Sequence, residues 1–194
     1  MKLKTSIIIL AGCFGIFLFI MLPIVLSIQD EKEDYVASIK GSDFSLNDVN
    51  NNLITEKSFQ GPATALFFGF THCPDVCPMT LNKLSIILER LKKENKSLKV
   101  FFISIDPERD TPEVMRDYLS SFGDHFIGIT GEPEKIFALS KSWGIIKEKI
   151  FTEDGNYTLN HSSPIILLKE GKYVDRITIK DDLKRSIKII KKYL

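Results

Sequence analysis

An apolar run at residues 63–70, followed by Cys73 and Cys77, is the feature that most constrains the fold of this chain. The run has no polar alternation, which predicts a central strand that is buried on both faces. Pro78 suits the first position of a helix, so we expect the cysteines to lie at a helix N-terminus. Side chains four positions apart on a helix share a face, with Cβ atoms about 5–6 Å apart. The two thiols are therefore within reach of a disulfide or of one soft metal ion.

An inert disulfide, or two small buried apolar side chains, is the alternative interpretation of this pair. A structural disulfide is expected to close a long loop, whereas Cys73 and Cys77 would close only a few residues. Functional sites are common at strand-to-helix junctions of this kind. The positive end of a helix also favours thiolate, the form that binds metal or attacks disulfides. We therefore favour a functional pair.

The size and charge of the chain narrow its class. Its 194 residues allow one domain of ordinary size once a terminal segment is set aside. The 26 basic and 25 acidic side chains nearly cancel, and no basic stripe is interleaved with aromatic residues. The sequence therefore gives no indication that the chain binds nucleic acid.

Residues 5–28 carry no charge and are long enough to cross a hydrocarbon layer of about 30 Å as a helix. Lys2 and Lys4 precede this segment, and four acidic side chains follow it within residues 30–34. The positive-inside rule then predicts a cytoplasmic N-terminus and a domain on the outer side of the membrane. We expect a membrane anchor at residues 1–28, a charged tether at 29–40 and a globular domain at 41–194.

Two other interpretations of the N-terminal segment are weaker. Residues 10–13 resemble a lipoprotein cleavage box, but the apolar run continues well past Cys13. A cleaved secretory signal would have a shorter apolar core, of about 7–15 residues. The segment also lacks the Arg-rich and Ser-rich character of a mitochondrial transit peptide. A bacterial inner membrane with a periplasmic domain is the simplest location.

Strands and helices alternate through most of the domain and are followed by a hairpin and a helix. Apolar periodicity and turn residues predict strands at 43–46, 63–70, 98–105 and 125–130 and helices at 78–93, 112–122, 133–143 and 181–194. They also predict one hairpin from 145–151 to a strand that starts at 157, and a second hairpin at 164–179. This order, with the thiol pair after an early strand, predicts an α/β thioredoxin-like sandwich with a central mixed sheet.

A metal site would need a third donor besides the two thiols, and the chain has three histidines. His72 adjoins Cys73, but a neighbour in an extended turn tends to point away. His125 opens a predicted strand, where a structural role is expected. We place His161 in the loop before the next buried strand, which in thioredoxin-like folds approaches the cysteine turn and often carries a cis-proline. Pro164 is the candidate for that proline.

An acidic stretch follows the second buried strand. Its simplest interpretation is a turn followed by a helix that Pro112 opens and that Asp110 or Thr111 caps. The acidity of Asp106, Glu108 and Asp110 also raises the hypothesis that an exposed turn docks a partner protein.

Two motifs of this chain resemble the Sco/SenC family of membrane-anchored copper chaperones, which act in cytochrome c oxidase assembly. The family's metal-binding signature is similar, nearly letter for letter, to residues 69–78, GFTHCPDVCP, and its second hallmark is similar to residues 104–112, SIDPERDTP. His161 stands where the family has its distal ligand. The resemblance extends from about Ala37 to the C-terminus. Asn160 departs from it, because the family more often has an acidic residue there, and this removes a partner that could orient the imidazole.

The resemblance implies a copper site formed by Cys73, Cys77 and His161 that takes Cu(I) and Cu(II). Soft thiolates favour Cu(I) and imidazole accepts both oxidation states, although zinc binds the same donors. It also implies oxidase subunit II as the acceptor, an unidentified copper donor, and a role that is not chiefly enzymatic.

The alternative from another class is a thiol–disulfide oxidoreductase that reduces the acceptor's cysteines through a Cys73–Cys77 disulfide. Against it, redox thioredoxins have two residues between their cysteines, whereas this chain has three. A peroxidase with Arg109 or Arg116 beside the thiolate is a weaker interpretation.

Overall fold

The computed structural model describes residues 17, 19–23, 41–153 and 155–194 of the chain. The chain divides into two compact units, residues 1–39 and 40–194, and the account below concerns the second unit. Among the described residues, no helix combines the length and the apolar character needed to cross a membrane. The predicted anchor lies mostly outside the described residues, and Cys13 and the tether at 29–40 lie wholly outside them.

Nine strands form two sheets among the described residues. The strands are β1 (Ser45–Asp48), β2 (Leu53–Thr55), β3 (Thr64–Gly69), β4 (Lys99–Ser104), β5 (Phe126–Thr130), β6 (Lys147–Phe151), β7 (Tyr157–His161), β8 (Ile165–Lys169) and β9 (Lys172–Ile177). Seven of them form a sheet in the order β2-β1-β5-β4-β3-β8-β9, in which β3, β4 and β5 are parallel and the other pairs are antiparallel. Strands β6 and β7 form a separate antiparallel pair.

The helices follow the predicted pattern. They are α1 (Val76–Lys93), α2 (Pro112–Ser120), α3 (Pro133–Ser142) and α4 (Leu183–Lys191), and a short 3-10 helix covers Glu56–Phe59. Most buried residues of α1 are apolar and recur at helical spacing, so α1 is an amphipathic helix that packs one face on the core. Thr111 caps α2 by accepting a hydrogen bond from the Val114 N–H, and Asp182 caps α4 in the same way.

The core is centred on β3 and β4. All six residues of β3 are buried, and Phe67 packs against Phe102 of β4 with ring centroids 5.7 Å apart. This confirms the central buried strand predicted from the apolar run. The mixed sheet and the order of its elements confirm the thioredoxin-like α/β fold.

Several local predictions are wrong. Helix α1 begins at Val76, two residues before Pro78, because Asp75 stands at the N-cap position, and Cys77 therefore lies inside the first turn. The first strand begins at Ser45, where its ladder with β2 starts. His161 ends β7 because it still pairs with Lys147, so it does not lie in a loop. The described residues contain no cis peptide bond, so the cis-proline expected at Pro164 is absent.

Candidate metal centre

The cysteine turn, residues 69–78, carries both thiols from the end of β3 into α1. The Cys73 N–H donates to the Phe70 carbonyl at 3.3 Å, and the Cys77 N–H lies 3.4 Å from the Cys73 sulfur. Cys77 is 0% exposed, whereas Cys73 is only partly buried, and both are free thiols. A Cβ at Gly69 would lie 2.9 Å from the Cys77 sulfur and 2.8 Å from the Phe102 ring. Glycine at this position therefore makes room for Cys77.

The two thiols differ in acidity. A hydrogen bond from Cys77, helped by backbone N–H groups of the helix start, lowers the pKa of Cys73 to about 5, although burial opposes this shift. The same hydrogen bond raises the pKa of Cys77 above its ordinary value, and burial raises it further. At neutral pH the pair therefore consists of an accessible Cys73 thiolate and a buried Cys77 thiol.

His161 is carried by the histidine hairpin, which is the name used here for β6 and β7. Its Nδ1 lies 2.8 Å from the Ser162 carbonyl oxygen, which can only accept a hydrogen bond, so Nδ1 carries the proton. The ring packs edge-on against Phe70, with centroids 5.8 Å apart, and Phe70 lies just before the thiols. The pKa of His161 lies below its ordinary value because burial lowers it. The Ser162 carbonyl and the Cys73 thiolate oppose this shift but do not cancel it. The Ser163 hydroxyl lies 3.4 Å from Nε2, and a neutral imidazole that is protonated at Nδ1 can bind a metal ion through Nε2.

The other two histidines have different surroundings. The His72 Nδ1 lies 3.0 Å from the Thr71 hydroxyl, and its side chain is half exposed. The His125 Nε2 pairs with the Glu89 carboxylate at 2.9 Å, which is the structural role that its position predicted.

The donor set suits a soft metal, because it combines a thiolate, a second thiol and a neutral imidazole. Among the described residues, no three His, Cys, Asp or Glu side chains stand close enough to hold a metal ion together as they are placed. The assignment of Cys73, Cys77 and His161 as one ligand set therefore stays a prediction.

The acidic turn, residues 106–110, is not the exposed docking surface that its composition suggested. Asp106 is 1% exposed and Asp110 is 0% exposed, so neither carboxylate can meet a partner protein. Only Glu108 reaches the surface, where it pairs with Lys149 at 2.7 Å. The docking hypothesis is therefore wrong for Asp106 and Asp110, which face inward, and it stays a prediction for Glu108.

Asp110 is bonded to the cysteine turn. Its carboxylate accepts hydrogen bonds from the Thr71 hydroxyl at 2.6 Å, the Thr71 N–H at 3.2 Å and the Ser104 hydroxyl at 2.6 Å. Burial raises the pKa of Asp110, and these hydrogen bonds oppose the rise. Of the two predicted candidates for the cap of α2, Asp110 and Thr111, the structure has Thr111.

Asp106 is bonded to the histidine hairpin. It accepts from the Tyr157 hydroxyl at 2.8 Å and from the Arg109 Nε at 2.6 Å. Arg109, one of the two arginines considered for a peroxidase, is thus bonded to Asp106. The other, Arg116, donates to the Val49 carbonyl. Sequence analysis did not identify Thr71, Ser104 or Tyr157. Thr71 and Ser104 do lie within the two family motifs, and both are polar residues directly after or at the end of a predicted buried strand.

A mixed α/β sheet with a thiolate–thiol pair at the junction of β3 and α1 places the chain among thioredoxin-like proteins with a paired-thiol site. The model of the SCO1/SenC family matches residues 32–194, and the chain belongs to that family. An SCO2-like protein of Rickettsia felis is 36% identical over 154 residues, which cover 78% of this chain and 75% of that protein.

Solved structures agree with this assignment. Bradyrhizobium japonicum ScoI, solved with copper bound, is 40% identical and has a TM-score of 0.73, covering 80% of this chain and 99% of that chain. Yeast Sco1, also solved with copper bound, is 32% identical and has a TM-score of 0.73, covering 79% of this chain and 87% of that chain. The chain is therefore similar in sequence and fold to proteins that bind copper.

Proposed function

We propose that this chain is a membrane-anchored copper metallochaperone that acts in cytochrome c oxidase assembly and delivers copper to the binuclear copper site of subunit II. The observation that carries the proposal is the thiolate–thiol pair at a strand-to-helix turn, next to Phe70, on which a hairpin packs an imidazole that is protonated at Nδ1. Relatives with the same fold were solved with copper bound.

Cys73, Cys77 and His161 are the proposed ligands. Copper is the cargo, and the two sulfurs suit Cu(I) while the imidazole accepts Cu(I) or Cu(II). Binding at neutral pH releases the Cys77 proton, because that thiol is protonated in the free protein. Cys73 is the partly exposed sulfur and therefore the one that an acceptor's ligands reach first. A three-ligand site leaves room for those ligands to enter during transfer.

The proposed location is a bacterial inner membrane, with a single span, a cytoplasmic N-terminus and the domain of residues 41–194 in the periplasm. Its support is the uncharged segment at 5–28 and the lysines that precede it. Protease added to spheroplasts should digest the domain of the full chain, and protection of the domain would contradict this orientation.

X-ray absorption of the reduced full-length chain loaded with Cu(I) tests the ligand set. We expect one copper with two sulfur donors and one imidazole nitrogen. His161→Ala should lose the nitrogen and weaken Cu(I) binding about a hundredfold, while both sulfurs remain. Unchanged affinity and an unchanged spectrum in His161→Ala would refute the assignment. Transfer from the loaded chain to the copper-free domain of subunit II would then test delivery.

A thiol–disulfide oxidoreductase is the second candidate, because Cys73 is an accessible thiolate beside a second thiol. The Cys73 thiolate would attack an acceptor disulfide to form a mixed disulfide and release one acceptor thiolate. Cys77 would lose its proton and attack Cys73, which releases the second acceptor thiol and leaves a Cys73–Cys77 disulfide. This reaction does not use His161. Dithiol activity that persists in His161→Ala, in a chain that retains no copper, would make it the leading function.

A further inference from the structure

The acidic turn contacts both segments that carry the proposed ligands. It lies between β4 and α2, and it carries two carboxylates that are almost wholly inaccessible to solvent, Asp106 and Asp110. A buried carboxylate is costly unless donors satisfy it, and donors that satisfy it are held in a defined geometry. The partners of these carboxylates therefore show what the turn holds in place.

In the cysteine turn, the hydrogen-bond partner of Asp110 is Thr71. Both its N–H and its hydroxyl donate to the Asp110 carboxylate, with the hydroxyl oxygen 2.6 Å from the carboxylate oxygen. Thr71 lies two residues before Cys73, and the Cys73 N–H in turn bonds the neighbouring Phe70 carbonyl. The path of the chain into Cys73 is thus fixed from the acidic turn.

In the histidine hairpin, the hydrogen-bond partner of Asp106 is Tyr157, the first residue of β7. Its hydroxyl donates to Asp106 at 2.8 Å, and its carbonyl accepts from the Arg109 Nη1 at 2.9 Å. The Arg109 guanidinium lies over the Tyr157 ring, 3.7 Å from its centroid, and also bonds Asp106. Tyr157 is therefore held by its ring, its hydroxyl and its backbone.

Two lysines add further contacts between the hairpin and the same region. Lys147 donates to the Ile105 carbonyl at 2.5 Å, and Lys149 pairs with Glu108 at 2.7 Å. Lys147 is the cross-strand partner of His161, so the contact lies at the level of the imidazole. Because β6 and β7 form a sheet of their own, these polar contacts join the hairpin to the rest of the domain, together with the contact of the His161 ring with Phe70 and of Lys147 with the Phe137 ring.

We propose that the acidic turn is a brace that positions both halves of the site: Asp110 holds the cysteine turn through Thr71, and Asp106 with Arg109 holds the histidine hairpin through Tyr157. These are positioning residues, because they act on copper only through the groups they hold. The inference rests on the proposed copper function.

A double-mutant cycle on the full-length chain tests the imidazole half. Tyr157→Phe removes only the hydroxyl and keeps the ring beneath Arg109. We expect it to lower Cu(I) affinity about tenfold, the effect typical of an outer-shell partner. In a His161→Ala background the same change should have no effect, since the group it positions is gone. Tyr193→Phe is the matched control, because the Tyr193 hydroxyl donates to the Asp175 carboxylate at 2.9 Å elsewhere in the domain.

The thiol half is tested at Thr71. Thr71→Val removes the hydroxyl that bonds Asp110, and it should lower Cu(I) affinity about tenfold in both the wild-type and the His161→Ala backgrounds. Thr71→Ser keeps the hydroxyl and should restore the wild-type value, which a general loss of packing would not explain. Unchanged affinity in Thr71→Val, or equal loss in both Thr71 variants, would overturn this half.

For the imidazole half, a Tyr157→Phe effect of equal size in both backgrounds, or no effect in either, would overturn the brace.

If His161→Ala itself leaves Cu(I) affinity unchanged, the ligand assignment fails, and hydrogen exchange of the copper-free protein then decides on the brace. Tyr157→Phe should speed exchange of the β7 amides about tenfold relative to Tyr193→Phe. Equal exchange in the two variants would refute the brace independently of copper.

Discussion

The cysteine turn is continuous with the hydrophobic core, whereas the histidine hairpin is joined to the acidic turn by polar contacts. The turn follows a fully buried strand, and Cys77 lies at 0% exposure against it. The hairpin instead exposes Ile150 at 44% and Phe151 at 74%. The comparison teaches that the sulfur donors are placed by core packing, whereas the hairpin that carries the imidazole is held mainly by hydrogen bonds, an ion pair and two cation–π contacts. The following four predictions test this difference.

Replacing a sulfur donor should have the largest effect. Cys77→Ser should lower Cu(I) affinity more than about a thousandfold, because a hydroxyl is a hard donor that replaces one of only two soft ligands. His161→Ala should lower Cu(I) affinity by only about a hundredfold, since two thiolates still hold Cu(I). Competition titration against a Cu(I) chelator measures both. Equal losses would contradict a site whose affinity comes mainly from the core-anchored thiols.

Crowding the cysteine turn should destabilise the whole domain. Gly69→Ala would place a Cβ 2.8 Å from the Phe102 ring and 2.9 Å from the Cys77 sulfur. We expect the free energy of unfolding to fall by about 1–3 kcal/mol, which is typical of overpacking. Urea denaturation followed by circular dichroism measures this change. A wild-type midpoint would show that the turn is less firmly packed than the structure indicates.

The reactivity of Cys73 should remain high in weak acid. Its pKa is lowered to about 5, so its thiolate is half formed near that pH, predominates from one pH unit above it, and is lost as the pH falls below it. Alkylation of Cys73 by iodoacetamide should be independent of pH from 8 to 6 and fall about tenfold per pH unit well below 5. Mass spectrometry identifies the modified residue. Cys77 should stay unmodified in the folded chain, and a Cys73 rate that rises steadily from pH 6 to 9 would contradict the shift.

A change on the outer side of the hairpin should have the smallest effect. Phe151→Ala removes an aromatic side chain that is 74% exposed, and it should change the free energy of unfolding by less than about 0.5 kcal/mol. Phe67→Ala, in the buried β3, should cost about 3–5 kcal/mol in the same urea assay. Similar losses in the two variants would remove the distinction between the core-packed turn and the polar-held hairpin.

The positions of most elements could be predicted because local pattern determines them. The apolar run of β3, the periodicity of α1 and the turn residues of both hairpins are visible in the sequence. The boundaries shifted by up to three residues, as at Val76, Ser45 and Lys191, because hydrogen-bond partners decide where an element starts and ends. The thiol pair was identified from its residue types and spacing, whereas His161 was chosen from its expected place before β8 and from the resemblance to the Sco/SenC family.

The sequence by itself determined the fold class, the family resemblance and the three candidate ligands. Only the tertiary structure decided that Asp106 and Asp110 face inward, that the thiols divide into a thiolate and a thiol, and that His161 ends a strand. The reason is the range of the interactions involved. Periodicity records which face of a segment is apolar, but the Asp110–Thr71 and Asp106–Tyr157 bonds join residues 39 and 51 positions apart. The partner of a buried polar group is fixed only when distant segments pack together.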